Sequence, residues 1–191
     1  MAIAACRQIG VVAGGILRMN GSLYEDELTF LAHSVALEQE AAERLYELAD
    51  AMAVHNNRPL QALFLELANF SERHAGEVQT HCQGKPLPML QAWEYSWPDE
   101  ESPEVFHYSR IHYLMTPEQA LQVALEVEQN AQNFYEDVAR RSGNGALQQL
   151  AQGFAQEESE HVQAVLTRLR AEQGAGRAFD NTDFDPPHMP E

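Results

Sequence analysis

The sequence is poor in cysteine, in positive charge and in long apolar segments, and each shortage argues against a class of protein. Its 191 residues include two cysteines, Cys6 and Cys82, and no Cys-x-x-Cys pair. This pattern argues against a disulfide framework, a zinc finger, a four-cysteine iron site and an iron–sulfur cluster. A low cysteine content is also typical of reducing compartments, so we expect a cytoplasmic protein.

The charge of the chain is strongly negative. Twelve lysines and arginines face 29 aspartates and glutamates, which gives a formal net charge of −17. A surface of this sign repels phosphate backbones, so nucleic acid is not an expected partner, although cations would be attracted. No segment approaches the roughly 20 apolar residues that a membrane-spanning helix needs, and we expect no membrane partner.

The two ends of the chain differ from its middle. The uncharged run Ile9–Leu17 follows Arg7, contains three glycines and is not closed by a convincing cleavage pattern. We interpret residues 1–23 as a leader that is flexible or wrongly assigned to the protein, with the fold beginning near Tyr24. Residues 174–191 are polar and rich in proline, and they predict a tail that need not be ordered on its own.

The middle of the chain predicts four amphipathic helices within residues 24–173. Apolar residues recur at steps of three and four positions, the period of a helix with one buried face. Thr116 is a predicted N-cap, and Pro59 and Pro117 suit the first turns of their helices. The predicted helices run from Leu31 to Met52, from Leu60 to about residue 83, from residue 117 to about residue 141, and from about residue 146 to Gln173.

A long connection, residues 85–115, joins the second predicted helix to the third. Connections of this length are uncommon in a compact domain unless they pack or carry function. Its aromatic residues predict that it packs against the helices: Trp93, Trp97, Phe106, Tyr108 and Tyr113. The sequence thus predicts an all-α fold, a four-helix bundle of two helical hairpins joined by a long crossover.

The two predicted hairpins resemble each other. Ser71-x-x-His74 on the second helix parallels Glu158-x-x-His161 on the fourth, and a single glutamate occupies matching positions on the first and third helices. This similarity predicts an internal duplication with a pseudo-twofold axis through the bundle.

Five ionisable residues lie on the apolar faces of the four helices: Glu38, His74, Glu128, Glu158 and His161. An ionised carboxylate in an apolar interior costs several kcal/mol unless it is neutralised, and three of them together would repel one another. A pair of cations removes the conflict, because carboxylate and imidazole ligands suit divalent first-row metals. Residues three apart on a helix can reach one ion, and a glutamate from a facing helix can bridge two. We therefore expect two metal ions at these residues.

This ordered set of residues resembles the rubrerythrin-like members of the ferritin-like di-iron superfamily, over about residues 28–172. The resemblance implies a ferritin-like bundle in which Glu38 and His74 hold mainly one ion, Glu128 and His161 hold the other, and Glu158 completes the site. It also implies a peroxidase-type or ferroxidase-type oxidoreductase that acts on hydrogen peroxide or oxygen. Iron is the expected metal, and the ligand set also tolerates manganese.

Two features depart from the family pattern. Ser71 stands where the family has its second glutamate, so a bridging carboxylate is missing, and we expect the adjacent metal position to be weak or empty. Water or Glu72 could fill the gap, although Glu72 lies off the inward face. No Cys-x-x-Cys domain is present, so a peroxidase cycle would need a separate electron donor. These departures leave open a non-catalytic metal-binding or structural bundle with a degenerate site.

Other polar residues receive weaker predictions. Tyr135 is expected to point inward, either to hydrogen-bond a metal ligand or transfer an electron, or to pack in the core with a satisfied hydroxyl. His33 and Glu157 lie off the inward faces and are expected to be exposed. Bundles of this kind often pair, so we expect a homodimer with the aromatic crossover at its interface.

Overall fold

The computed structural model describes residues 22–99 and 101–179, the last five of these by their backbone alone. The predicted leader lies outside these residues except for its last two positions, as does the tail beyond residue 179. The described residues form four α-helices, two short 3-10 helices in the crossover and no strand. The α-helices are α1 (Glu27–Val54), α2 (Arg58–Thr80), α3 (Pro117–Arg141) and α4 (Gly145–Phe179). The predicted all-α fold is therefore confirmed.

Each helix begins at a polar side chain that accepts a backbone N–H from the first turn: Asp26, Asn57, Thr116 and Asn144. These caps satisfy donors that have no partner inside the helix. The predicted cap at Thr116 is confirmed, and Gln119 completes it by accepting the Thr116 N–H in a capping box.

The fourth helix is longer than the sequence predicts. Its backbone stays helical through Phe179, past the boundary expected at residue 174. A glycine in a helix costs only about 1 kcal/mol relative to alanine, so Gly174 and Gly176 weaken a helix without necessarily ending it. Helix α4 therefore ends at Phe179, later than the predicted end at Gln173.

The helices pair as two hairpins, α1 with α2 and α3 with α4, and the crossover joins them. Two apolar clusters fill the interior, one around Leu45, Phe64 and Leu121 and the other around Phe30 and Phe154. On every helix the predicted ligands lie between the stretch that enters one cluster and the stretch that enters the other. The polar centre is thus a band between two apolar layers.

The crossover packs on the bundle through part of its aromatic set. The Trp97 ring lies edge-on to Phe134 at 5.6 Å, and the buried Phe106 lies edge-on to Phe64 at 6.2 Å. Trp93, in contrast, is 81 % exposed. The prediction that the crossover aromatics pack is therefore confirmed for Trp97 and Phe106 and wrong for Trp93.

His33 is buried, so the prediction that it is exposed is wrong. Its Nδ1 donates to the Thr29 carbonyl at 2.8 Å, and its Nε2 accepts the Ser96 N–H at 3.1 Å. Burial lowers the pKa of this imidazole, which keeps it neutral, as the accepting Nε2 requires. His33 is covered by crossover residues, among them Tyr95 and Trp97. Helical periodicity indicates which face of α1 packs on other helices, but not which face the crossover covers.

No helix in the described ranges has both the length and the apolar character that crossing a lipid bilayer would require.

Candidate metal centre

The structure brings all five predicted ligands together in the polar band between the two apolar clusters. Glu38, His74 and Glu158 are buried, with exposed fractions of 2, 4 and 0 %. The side chains of Glu128 and His161 are 17 and 16 % exposed. The centre is therefore enclosed around Glu38, His74 and Glu158, its sealed side, and partly open at Glu128 and His161, its open side.

His74 forms the first half of the centre. Its Nδ1 hydrogen-bonds to Glu38 and lies 3.9 Å from Oε1 of Glu158. Its Nε2 lies 3.2 Å from Oε2 of Glu157. Glu157 was expected to be a solvated charge, and its side chain is indeed half exposed, but its carboxylate reaches the outer face of the centre.

His161 forms the second half in a similar way. Its Nδ1 lies 3.0 Å from Oε2 of Glu158 and 3.5 Å from Oε2 of Glu128. The rings of His74 and His161 are 5.0 Å apart between centroids. Glu158 therefore presents one carboxylate oxygen to each imidazole.

Protons balance the negative charges in the structure as it stands. Burial by itself lowers the pKa of His74, but the hydrogen bond and charge of Glu38 outweigh it and raise that pKa to about 9. Burial also disfavours the protonated form of His161. Hydrogen bonds to Glu128 and Glu158 outweigh burial and raise the pKa of His161 to about 10. Burial, helped by the charge of Glu38 and opposed by His161, raises the pKa of Glu158 to about 7. Metal ions bound here would displace these protons.

One buried oxygen tests whether the centre fits a metal. Oε1 of Glu158 makes no hydrogen bond among the described residues, although its side chain is fully buried. Buried polar atoms without a partner are rare and call for an explanation such as an ion or a water molecule. The surrounding oxygen and imidazole atoms suit divalent iron or manganese, so the residues present fit a metal centre.

Glu104 is a further carboxylate at the centre, and the sequence reasoning missed it. It belongs to the crossover, yet it is only 5 % exposed. Carboxylate oxygens of Glu38, Glu104 and Glu158 all lie within 4.8 Å of one another. Burial and the charges of Glu38 and Glu158 raise the pKa of Glu104 well above its usual range. The sequence gives one indication of this burial, because Glu104 directly precedes the apolar pair Val105-Phe106, which is buried.

The structure also shows the surroundings of Ser71, where the family pattern has its second glutamate. Ser71 is buried and lines a small cavity together with Glu104, Glu128 and Phe106. Glu72 is exposed and accepts a hydrogen bond from the Tyr46 hydroxyl at 3.0 Å. Glu72 therefore points away from the centre and does not fill the gap left at Ser71.

Tyr135 points inward, into the apolar cluster around Phe30 and Phe154. Its ring is fully buried between Phe30, Phe134 and Phe154. Its hydroxyl forms no hydrogen bond of normal geometry within the described residues, although Ser34 lies close enough to lower its pKa slightly. Burial, followed by the charges of two glutamates of the centre, raises the pKa of Tyr135 well above its usual value.

Comparison with known proteins agrees with this arrangement. The family model described as Rubrerythrin matches residues 29–163. The chain is also similar to the crystal structure of an uncharacterized conserved protein from Magnetospirillum magnetotacticum MS-1, with 37% sequence identity and a TM-score of 0.57, covering 76% of this chain and 95% of that one. No curated protein matches the chain. The family match runs from residue 29 in α1 to residue 163, about halfway along α4, and includes every residue of the centre, and this chain belongs to the rubrerythrin family.

Proposed function

We propose that the chain is a di-metal oxidoreductase that binds two metal ions, with iron as the expected metal, and reduces hydrogen peroxide or oxygen. Glu38 and His74 would hold one ion, and Glu128 and His161 the other. Glu158 lies between the two imidazoles and would contact both ions. The main support is the fully buried Oε1 of Glu158, which lacks a hydrogen bond and is directed into a set of metal-ligating atoms.

Redox chemistry depends on the ions, and the protein controls access and position. When bound, two ferrous ions supply the two electrons that convert hydrogen peroxide and two protons into two water molecules, and a separate donor returns those electrons. Glu38, His74 and Glu158 are held by buried contacts, which limits their movement. A small substrate would enter on the open side, where the Phe70 ring lies edge-on to His161 at 4.6 Å.

Tyr135 would act as a hydrogen-bond donor at the sealed side. Its hydroxyl keeps its proton because burial raises its pKa. A protonated phenol can donate a hydrogen bond to a carboxylate of the centre, but it does not offer a charged oxygen to a metal.

The proposal extends to the setting of the protein. A cytoplasmic location agrees with the low cysteine content. A homodimer through the crossover is supported by the exposed apolar residues there, among them Trp93 and Leu114, with exposed fractions of 81 and 72 %.

Ser71 favours a second candidate function, a bundle that binds metal without turnover. The helices supply one carboxylate fewer than the family pattern, which would disable oxidant chemistry while retaining affinity for metal. The two candidates differ in reactivity and agree on metal binding.

Rapid mixing of ferrous-loaded protein with hydrogen peroxide or oxygen distinguishes the two candidates. We expect ferric absorbance to develop faster than with free ferrous ion in the same buffer, and Glu128→Gln to abolish that acceleration. Glu126→Gln is the matched control, because Glu126 is exposed on the same helix and pairs with Arg110. Metal-loaded wild-type protein that oxidises no faster than free ion would support the second candidate.

A further inference from the structure

The helices alone do not balance the charge of two divalent ions. They bring three carboxylates to the interior of the centre, from Glu38, Glu128 and Glu158, and two imidazoles that are neutral when they bind metal. Glu157 reaches only the outer face of His74 and is half exposed, so its charge is largely balanced by solvent. Two divalent ions carry four positive charges, so one positive charge would remain uncompensated in a largely buried site. Such a charge is costly in a protein interior, and the Ser71 hydroxyl does nothing to neutralise it.

The crossover brings one more carboxylate to the same place. Glu104 is 5 % exposed, and one of its oxygens lies within 4.8 Å of oxygens from Glu38 and Glu158. Glu104 and Ser71 line the same cavity, on the side where the family's second glutamate would project. A flexible surface acid would have no reason to lie here, because burial among like charges opposes it.

Local structure holds Glu104 inward. The Val105 N–H donates to the Ser102 carbonyl at 3.1 Å, closing a turn with Pro103 and Glu104 at its centre. Proline suits this position of a turn because its ring fixes φ near the required value. Val105 and Phe106 follow directly and are buried, with exposed fractions of 2 and 3 %, so they anchor the turn to the bundle.

We propose that Glu104 is the fourth carboxylate ligand of the metal centre, supplied by the crossover in place of the helix carboxylate that is absent at Ser71. The inference rests on the metal binding proposed above. The four negative charges of these carboxylates balance the four positive charges of two divalent ions. The ion nearest Ser71 then gains the carboxylate ligand that it would otherwise lack. The crossover becomes part of the centre, because binding the ions also fixes the segment that carries Glu104.

Titration with Mn²⁺, followed by equilibrium dialysis and elemental analysis, tests this role. Wild-type protein is expected to bind two ions per chain, and Glu104→Gln to lose one ion or bind it at least about tenfold more weakly, since loss of even an outer-shell partner commonly costs 10–100-fold. Glu101→Gln is the matched control: Glu101 lies three residues earlier in the same segment, with a side chain about half exposed. Glu104→Gln that binds two ions with wild-type affinity would overturn the proposal.

A rescue variant separates loss of a ligand from damage to the fold. Ser71→Glu combined with Glu104→Gln returns a carboxylate to the same cavity from the helix side, and we expect it to restore the second ion. Failure to restore it, in a variant with the helical circular-dichroism spectrum of Glu104→Gln, would contradict the interchange of the two positions.

Hydrogen–deuterium exchange of the wild-type chain needs no substitution. Mn²⁺ should slow exchange of the peptide that contains residues 102–106, together with the peptides around the helix ligands. Slower exchange at the helices with no change at residues 102–106 would exclude Glu104 as a ligand while leaving the metal centre itself intact. Wild-type protein that binds no Mn²⁺ and no Fe²⁺ would instead reject the proposed function.

Discussion

Replacing Glu158 with glutamine should stabilise the metal-free protein, although it removes a central residue. The side chain is fully buried, and its pKa is raised from an ordinary 4.5 to about 7. A buried acid with a raised pKa favours the protonated form, so the folded state loses stability as the pH rises through 4.5 to 7. At pH 8 this penalty is about 3 kcal/mol, and at pH 5 it is about 1 kcal/mol or less.

Glutamine resembles the protonated acid in shape and carries no charge, so Glu158→Gln avoids this penalty, but it also removes the charge that helps to stabilise protonated His161. The net gain is therefore at most about 3 kcal/mol, which for a chain of this size corresponds to no more than roughly 6–12 °C in melting temperature. Thermal melting followed by circular dichroism, with EDTA present, should therefore show a clear increase at pH 8 and a small one at pH 5. Glu160→Gln, the same change at an exposed position of the same helix, should leave both melts unchanged.

Bound metal should reverse which protein, wild type or Glu158→Gln, melts at the higher temperature. An ion that binds only the folded state adds about 2.7 kcal/mol at a free concentration one hundred times its Kd, and Glu158→Gln forfeits most of that gain. The variant is thus expected to melt above wild type with EDTA and below it with Mn²⁺. A variant that melts below wild type at pH 8 with EDTA would refute the reasoning that Glu158 is a destabilising buried carboxylate without metal.

Three further predictions concern the surroundings of the centre. Metal-free protein should lose stability as the pH rises from 6.5 towards 9, because the pKa of His74 is about 9 in the folded state and 6.5 in the unfolded state, so protonated His74 stabilises the fold fully only below pH 6.5. Denaturant melts in EDTA check this, and a rise in stability over that range would contradict it. Tyr135→Phe should change the free energy of unfolding by no more than about 1 kcal/mol, since the buried hydroxyl lacks a normal hydrogen bond, but it should slow oxidation by peroxide. A large loss of stability would contradict this, because it would show that the hydroxyl makes a hydrogen bond in the folded protein. Phe106→Ala should destabilise the chain by about 3–5 kcal/mol and weaken Mn²⁺ binding by releasing the Glu104 turn. His112→Ala, at an exposed position of the same crossover, should do neither.

Helical periodicity predicts most of the centre because the ligands are exceptions to an otherwise apolar stripe. Glu38 and Glu158 occupy positions where leucine or valine fits the pattern, and each lies on the inward face in the structure. Thr116-Pro117 marks a helix start through local capping chemistry, which the sequence displays directly.

Two features that the sequence does not predict, the burial of Glu104 and that of His33, depend on the crossover. Glu104 and His33 are buried by contacts between the crossover and the bundle, and a segment without regular periodicity gives no indication of which side chains point inward. Glu157 is similar, since its exposed position on α4 is correctly predicted but the reach of its carboxylate to His74 depends on how the hairpins pack. Long-range packing, rather than local preference, decides these positions.

Metal content tests the central claim most directly. Protein produced in iron-supplemented cells and purified without a metal-affinity tag should contain about two iron or manganese ions per chain by elemental analysis, as the four-helix ligand set implies. Glu128→Ala should lower that content, and Glu126→Ala should leave it unchanged. Wild-type protein that contains no metal, and takes up none from Fe²⁺ or Mn²⁺ under anaerobic conditions, would contradict the account.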